Sequence, residues 1–473
     1  MLDGLETAPL FAGIALAVLV GWGAFRLFLT SYRYLRASPL QRSRMRHAWS
    51  VSLRWRRLAP NLGLARIDEN SKGKTGIDGK TVKPTVVVPK MIVHPEPWGL
   101  RAVVKTIPKV GIEEFEKAAG WLADAWQCES VEVKRIKAGQ IEVRGLVGDP
   151  LAEHHPYAWP DGKTWALPIG RNPWGREIII PLRELSGIKI AGMPGFGKTM
   201  LELAWFAALS PRPEVQFAVF DGKTSDPRYG DWGEVAQRAM FIVGDNPEAA
   251  HQRLVELVRL IKDRPAALVA ERGTHKFWKL GPTVENPLVI VVMDECHNYI
   301  DAGGLRGKDK ELIEANQRLM RTISKEGRGL GVLPIVATQK QTSDAIPTGV
   351  RDNLEVGVCF ATFTLDGAEA ALGSGIRKDE PNQPTEFVDK ASAVGLCVVT
   401  GVPGLGGRYS RIRVGDVNED QVVQLARGSA HLCRYVIPAP APIVRDVSAS
   451  STEQSAGMSV PIQKKPTRRR KTA

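Results

Sequence analysis

Residues 192–199 read Gly192, Met193, Pro194, Gly195, Phe196, Gly197, Lys198, Thr199, or GMPGFGKT, and they decide the fold. Every fixed position of G-x-x-x-x-G-K-[ST] is filled. The apolar Ile188, Ile190 and Ala191 ahead of the stretch predict a strand, and 200–209 behind it predict a helix. Glycines remove the Cβ atoms that would keep consecutive backbone N–H groups from converging on a phosphate, and the helix N-terminus adds a favourable dipole. In such a loop Lys198 holds the β and γ phosphates as a point charge, and Thr199 offers its hydroxyl to Mg²⁺. The implied cofactors are ATP and Mg²⁺.

Working outward, the chain alternates strand and helix patterns from Trp165 onward, which predicts a mostly parallel sheet with helices on both faces. Residues 216–220 (QFAVF) and 240–243 read as strands, and 247–270 as a long helix capped by Asp245 or Asn246. The run 287–294 (PLVIVVMD) is apolar throughout, as a strand buried on both faces must be, and it ends in Asp294 with Glu295 next. Strand ends of this kind emerge beside the phosphate loop, where Asp294 completes the Mg²⁺ shell and Glu295 polarises the attacking water. Residues 333–338 (LPIVAT) form another buried strand with Gln339 at its tip as a γ-phosphate sensor. Arg328, between Gly327 and Gly329, is exposed on a flexible turn from which it reaches a neighbour's nucleotide as well as its own.

Upstream, 8–25 run without a charge, about 18 residues or about 27 Å as a helix, nearly a bilayer's hydrocarbon core. Asp3 and Glu6 before it argue against a cleaved leader. Arginines follow at 33, 36, 42, 44, 46, 54, 56 and 57, so the expectation is one transmembrane helix at the cell membrane with the rest of the chain cytoplasmic. Residues 61–83 are Gly/Lys-rich and read as a linker. Strands at 85–89, 100–105, 130–137 and 140–145 around a helix at 112–126 suggest a small ββαββ module, with Trp98, Trp121 and Trp126 in its core. Segments 1–60, 61–83, 84–160, 161–437 and 438–473 are thus anchor with basic segment, linker, small α+β domain, motor and basic tail. The tail ends in Lys464, Lys465, Arg468, Arg469, Arg470 and Lys471, and its composition cannot build a core. The net charge of +13 fits phosphate-rich partners or an anionic membrane. Five cysteines without a C-x-x-C pair fit a reducing compartment and argue against zinc.

Taken together, DNPEAAHQRLVELVRLIKDR, VVMDECH, GRGLGVLPIVATQK, IPTGVRDNLEVGVCF and DGAEAALGSG, in that order, resemble the FtsK/SpoIIIE family of hexameric double-stranded DNA translocases. The resemblance implies a RecA-like P-loop core, with the small domain riding on each motor of a homo-hexameric ring around double-stranded DNA. It also implies Lys198 and Thr199 as nucleotide ligands, Asp294 as the metal carboxylate, Glu295 as catalytic base and Gln339 as sensor. Arg328 falls at the position of the trans-acting arginine, and Arg351 and Asn353 fall on a DNA-contacting segment. A second basic residue expected beyond them is replaced around Glu355, Val356 and Gly357. With one anchor and no C-terminal winged-helix module, the chain resembles the short actinobacterial proteins that transfer plasmids or integrative elements as duplex. The alternatives are an FtsK-like protein-secretion ATPase, a chromosome-segregation pump, a single-strand coupling protein and a non-enzymatic scaffold. Secretion ATPases usually chain several modules, a coupling protein would insert an all-α domain, and a scaffold has no use for a water-activating acid.

Overall fold

Helix formation begins where the arginine-rich segment meets Ser38 and Pro39. In this computed structural model, which describes residues 31–69, 84–379, 382–387 and 389–437 plus the isolated positions Gly21 and Leu29, α1 spans Pro39–Asn61. Ser38 Oγ accepts from the Gln41 N–H at 3.3 Å, and Gln41 Oε1 accepts from the Ser38 N–H at 3.0 Å, a reciprocal cap that fixes the start. Ala48, Val51, Trp55 and Ala59 recur at helical spacing and are buried, packing on Phe115 and Trp126. The Trp55 indole N–H donates to Pro89 O at 2.8 Å. The basic segment is therefore part of the small domain's core. The uncharged run 8–25, save Gly21, and the tail 438–473 lie outside the described residues. Among the described residues no helix is long and apolar enough to cross a membrane.

The short pair β1 (Arg66–Ile67) and β2 (Val86–Val87) precedes a four-stranded antiparallel sheet. Its strands are β3 (Lys90–Glu96), β4 (Gly99–Lys105), β5 (Ser130–Lys137) and β6 (Gln140–Leu146), in the order β3-β4-β6-β5. The first strand of this sheet is thus 90–96, not 85–89. Pro95 disguises it, yet β3 is an edge strand, where a missing N–H costs no ladder bond. The helix expected over 112–126 is two, α2 (Ile112–Lys117) and α3 (Ala119–Trp126). Trp126 is core, but Trp121 is 68% exposed, contrary to expectation.

The motor is a ten-stranded sheet of β7 (Ala166–Arg171), β8 (Glu177–Pro181), β9 (Ile188–Ala191), β10 (Val215–Asp221), β11 (Phe241–Val243), β12 (Leu288–Asp294), β13 (Val332–Thr338), β14 (Val356–Phe360), β15 (Leu396–Thr400) and β16 (Tyr409–Val414). Their order is β11-β10-β12-β13-β9-β14-β15-β16-β7-β8, parallel from β11 to β14 and antiparallel beyond. The first motor strands form a hairpin, β7–β8, at the far edge. Alternation begins only at β9.

Side-chain period explains the layers. In β12, Ile290 and Val292 enter one core while Val289, Val291 and Met293 enter the other. The first core is closed by α4 (Lys198–Leu209), and the second by α5 (Pro247–Arg272) and α6 (Gly307–Glu326); α7 (Leu365–Leu372) and α8 (Glu419–Gly428) return to the first. Asn246, not Asp245, caps α5, its Oδ1 accepting from the Ala249 N–H at 2.8 Å.

Candidate nucleotide site

Strand β9 lies between β13 and β14, so the loop it feeds opens at the middle of the sheet's C-terminal edge, where ligands of open α/β sheets bind. Gly197 stands at φ 103°, a backbone that L side chains rarely adopt, and starts α4 with Lys198 as its first residue. A cavity of about 720 Å³ adjoins the loop, with Met193, Lys198, Thr199, Lys223 and Gln339 on its walls.

Lys198 is buried, and its Nζ donates to Asp294 Oδ1 at 2.8 Å and Glu295 Oε1 at 2.9 Å. Burial alone would lower the Lys198 pKa, but Asp294, Glu202 and Glu295 outweigh it and raise it, so the ammonium persists. Burial pushes the Asp294 carboxyl up, yet Lys198 and Lys223 together hold it below its usual value. Glu295 follows the same logic: desolvation is outweighed by the His297 contact at 3.2 Å, by Lys198, and by the Gln339 N–H, which donates to Oε2 at 3.0 Å. Both acids are therefore ionised at neutral pH.

The turn after β12 aims Glu295 inward. Its φ is 50°, uncommon for a residue with a Cβ, and its N–H donates to Asp294 Oδ1 at 3.0 Å. Gly222 packs against this turn; a Cβ there would come within 2.9 Å of the Asp294 and Glu295 carbonyl oxygens.

Four residues joined the site without having been read from the sequence. Lys223 Nζ lies 2.7 Å from Thr199 Oγ1, 2.9 Å from Asp294 Oδ2 and 3.2 Å from Asp231 Oδ2. Asp221 pairs in register with Asp294 on the neighbouring strand, and burial, its largest influence, lifts its carboxyl to about 6. Glu202, one turn into α4, has both carboxylate oxygens buried without a hydrogen-bond partner. Burial and then Asp294 raise it well above its usual value, leaving it uncharged at neutral pH. His297 completes the set. The pattern strand, Asp, Gly, Lys at 215–223 was the signal available for the first two.

Thr199 Oγ1 and Asp294 Oδ2 are hard oxygens within reach of a single cation, the Lys223 ammonium, and Asp294 Oδ2 has no aligned hydrogen-bond donor. That donor set fits Mg²⁺. The remaining expected residues are not brought here. Arg328 is exposed before the N-terminal end of β13, whereas Gln339 follows its C-terminal end, a separation of roughly 20 Å along the strand. Within one chain Arg328 does not reach its own cavity. Arg351 donates to Ser343 O at 2.7 Å, and Asn353 Nδ2 to Gly349 O at 2.8 Å, so both are engaged inside the chain.

The loop, its lysine and the paired strand-end acids define a P-loop ATPase. No family model matches the chain. It is 24% identical over 260 residues to the DNA translocase FtsK of Staphylococcus aureus, covering 52% of this chain and 30% of that protein. To the DNA translocase FtsK of Helicobacter pylori it is 25% identical over 227 residues, covering 44% and 25%. The resemblance to the FtsK/SpoIIIE family is borne out by these relatives, of whose length the chain spans about a third or less. Among solved structures, the monomer form of the pCW3 conjugation coupling protein TcpA with ATPγS superposes with a TM-score of 0.49 at 14% identity, over 81% of this chain and 99% of that one. The cytoplasmic domain of the Thermomonospora curvata type VII secretion ATPase EccC gives 0.43 at 17%, over 62% and 35%.

Proposed function

We propose that the chain is a membrane-anchored, ATP-driven translocase of double-stranded DNA, working as a homo-hexameric ring in conjugative transfer of a plasmid or integrative element. The observation that carries this reading is the buried cluster of Lys198 with Asp294 and Glu295 beneath a phosphate loop, in a chain whose sequence relatives are named DNA translocases. Lys198 binds the β and γ phosphates, for which its two carboxylate partners hold it charged. Thr199 and Asp294 would hold Mg²⁺, which supplies charge neutralisation when bound. Glu295, ionised and aimed by its turn, accepts the proton of the attacking water. The Gln339 N–H holds Glu295 in place, so a shift of the 338–341 turn changes the base as well as the sensor. Arg328, turned away from its own cavity, acts on the neighbour's nucleotide, and the segment carrying Arg351 and Asn353 faces DNA.

The test compares ATP turnover by the full chain with duplex DNA, single strands or candidate secreted proteins. Stimulation by duplex well above that by single strands is the expected result. Equal response to single strands, or response to protein alone, would refute the reading.

A further inference from the structure

The outward face of α1 is built for more than covering the small domain. Arg42, Arg46, Trp49, Leu53, Arg56 and Arg57 fall three or four residues apart, and so on one side of the helix, opposite the buried Ala48, Val51, Trp55 and Ala59. Leu53 is 83% exposed and Trp49 45%, an apolar pair set between guanidinium groups. Among the described residues Arg46, Arg54, Arg56 and Arg57 have no carboxylate partner, and the sequence carries no acid between Glu6 and Asp68. A solvated charged face normally mixes both signs and does not leave a leucine in water at its centre.

We propose that this face of α1 lies on an anionic lipid surface, with the guanidinium groups at the headgroup phosphates and Leu53 and Trp49 dipping into the acyl boundary. The chemistry selects lipid over nucleic acid. Duplex phosphates would satisfy the arginines but leave Leu53 and Trp49 facing water, whereas an anionic bilayer takes both. Position agrees, since α1 follows closely on an uncharged run long enough to approach the thickness of a bilayer. Because Trp55 on the inner side is packed against Phe115 at 6.0 Å between ring centroids, a bound α1 carries the small domain with it, and the motor is held at a set orientation to the membrane. This goes beyond the pump reading and does not depend on it, since no residue of the face touches the nucleotide site.

The full chain is reconstituted in vesicles whose acyl chains carry bromine near the headgroup, and tryptophan quenching is compared between the parent and Trp49→Phe. With about one third anionic lipid, Trp49→Phe should lose a quenched component that the parent shows; in zwitterionic vesicles the two should match. Arg46→Gln, Arg56→Gln and Arg57→Gln combined should weaken lipid engagement by on the order of 10²-fold and remove the same component. Quenching from any tryptophan in the uncharged run is common to all variants and cancels. Equal quenching of parent and Trp49→Phe in anionic vesicles would overturn the proposal. So would loss of duplex DNA binding by the triple variant with quenching intact, which assigns the face to nucleic acid. A smaller assembly for Leu53→Glu with quenching intact would likewise overturn it, in favour of a second copy.

Discussion

Replacing Lys198 by Ala removes the cation at the centre of the site, and the structure sets the size of the effect. The side chain is 3% exposed and lies 2.8 and 2.9 Å from two carboxylates that are themselves buried. Stripping one partner from a buried pair costs about 3–5 kcal/mol, because the remaining charge keeps its desolvation penalty. Lys223 still neutralises Asp294 Oδ2 at 2.9 Å, and His297 and the Gln339 N–H stay on Glu295, so the lower end, about 3 kcal/mol, is expected. For a domain of this size that is a fall in apparent Tm of roughly 6–12 °C. The pH dependence carries the sharper test. Asp294 and Glu295 are held below their usual values, so their pairing stabilises the fold above the unfolded carboxylate range near ~4 and is lost as pH falls through the depressed folded values. In the variant burial acts with one cation fewer, and the acids take up protons earlier. The gap between parent and Lys198→Ala should be widest at about pH 7–8 and close towards about pH 4. Thermal unfolding across that range measures it, alongside ATP turnover, which should drop to background. A gap that does not change with pH, or turnover at the parent rate, would refute the pairing and the site.

Glu295→Gln should bind ATP but hydrolyse it about 10²–10⁴-fold more slowly, read by nucleotide binding against turnover; normal hydrolysis would show that another group takes the proton. Mixing Arg328→Ala with Glu295→Gln chains should restore turnover at interfaces that pair one intact Arg328 with one intact Glu295, and no recovery in confirmed mixed rings would rule out a role across the interface. Asp221, with its carboxyl lifted to about 6, destabilises the fold when ionised and ceases to do so as pH falls below the unfolded value near ~3.9. Asp221→Asn should therefore raise the Tm at about pH 8 with the difference vanishing near about pH 4, and an equal difference at both would count against a buried ionised acid. Affinity for duplex should fall steeply with salt and depend little on sequence, and removal of residues 464–473 should shallow that slope without abolishing DNA-stimulated turnover; a salt-insensitive complex would contradict phosphate binding.

The parallel half of the motor was legible because its strands carry their own label. A run such as LVIVVMD is apolar on both faces only if helices cover both, and the acid at its end can only be tolerated at the edge where ligands bind. What the sequence hid was hidden for physical reasons. Strand β3 contains Pro95, which local propensity reads as a stop but an edge position tolerates. Helix α1 was obscured by its charge, since the buried face of Ala48, Val51, Trp55 and Ala59 is small and set among arginines. Lys223 and Glu202 became part of the site through the third dimension alone: one sits on a turn after a different strand, the other a turn into α4, and neither belongs to a motif.

The placement of β9 has a consequence for synthesis. Both of its neighbours, β13 and β14, are encoded roughly 150 residues downstream, so the strand that feeds the phosphate loop leaves the ribosome with nothing to pair against. At about 5–20 residues per second that leaves an apolar ribbon uncovered for roughly 10–30 s. During that interval the β7–β8 hairpin and the small domain have already been made, and the latter is complete in itself. The nascent chain thus has a folded head and a late-closing motor, and truncations or pauses between residues 210 and 330 should be far more prone to aggregation than pauses before 160 or after 415.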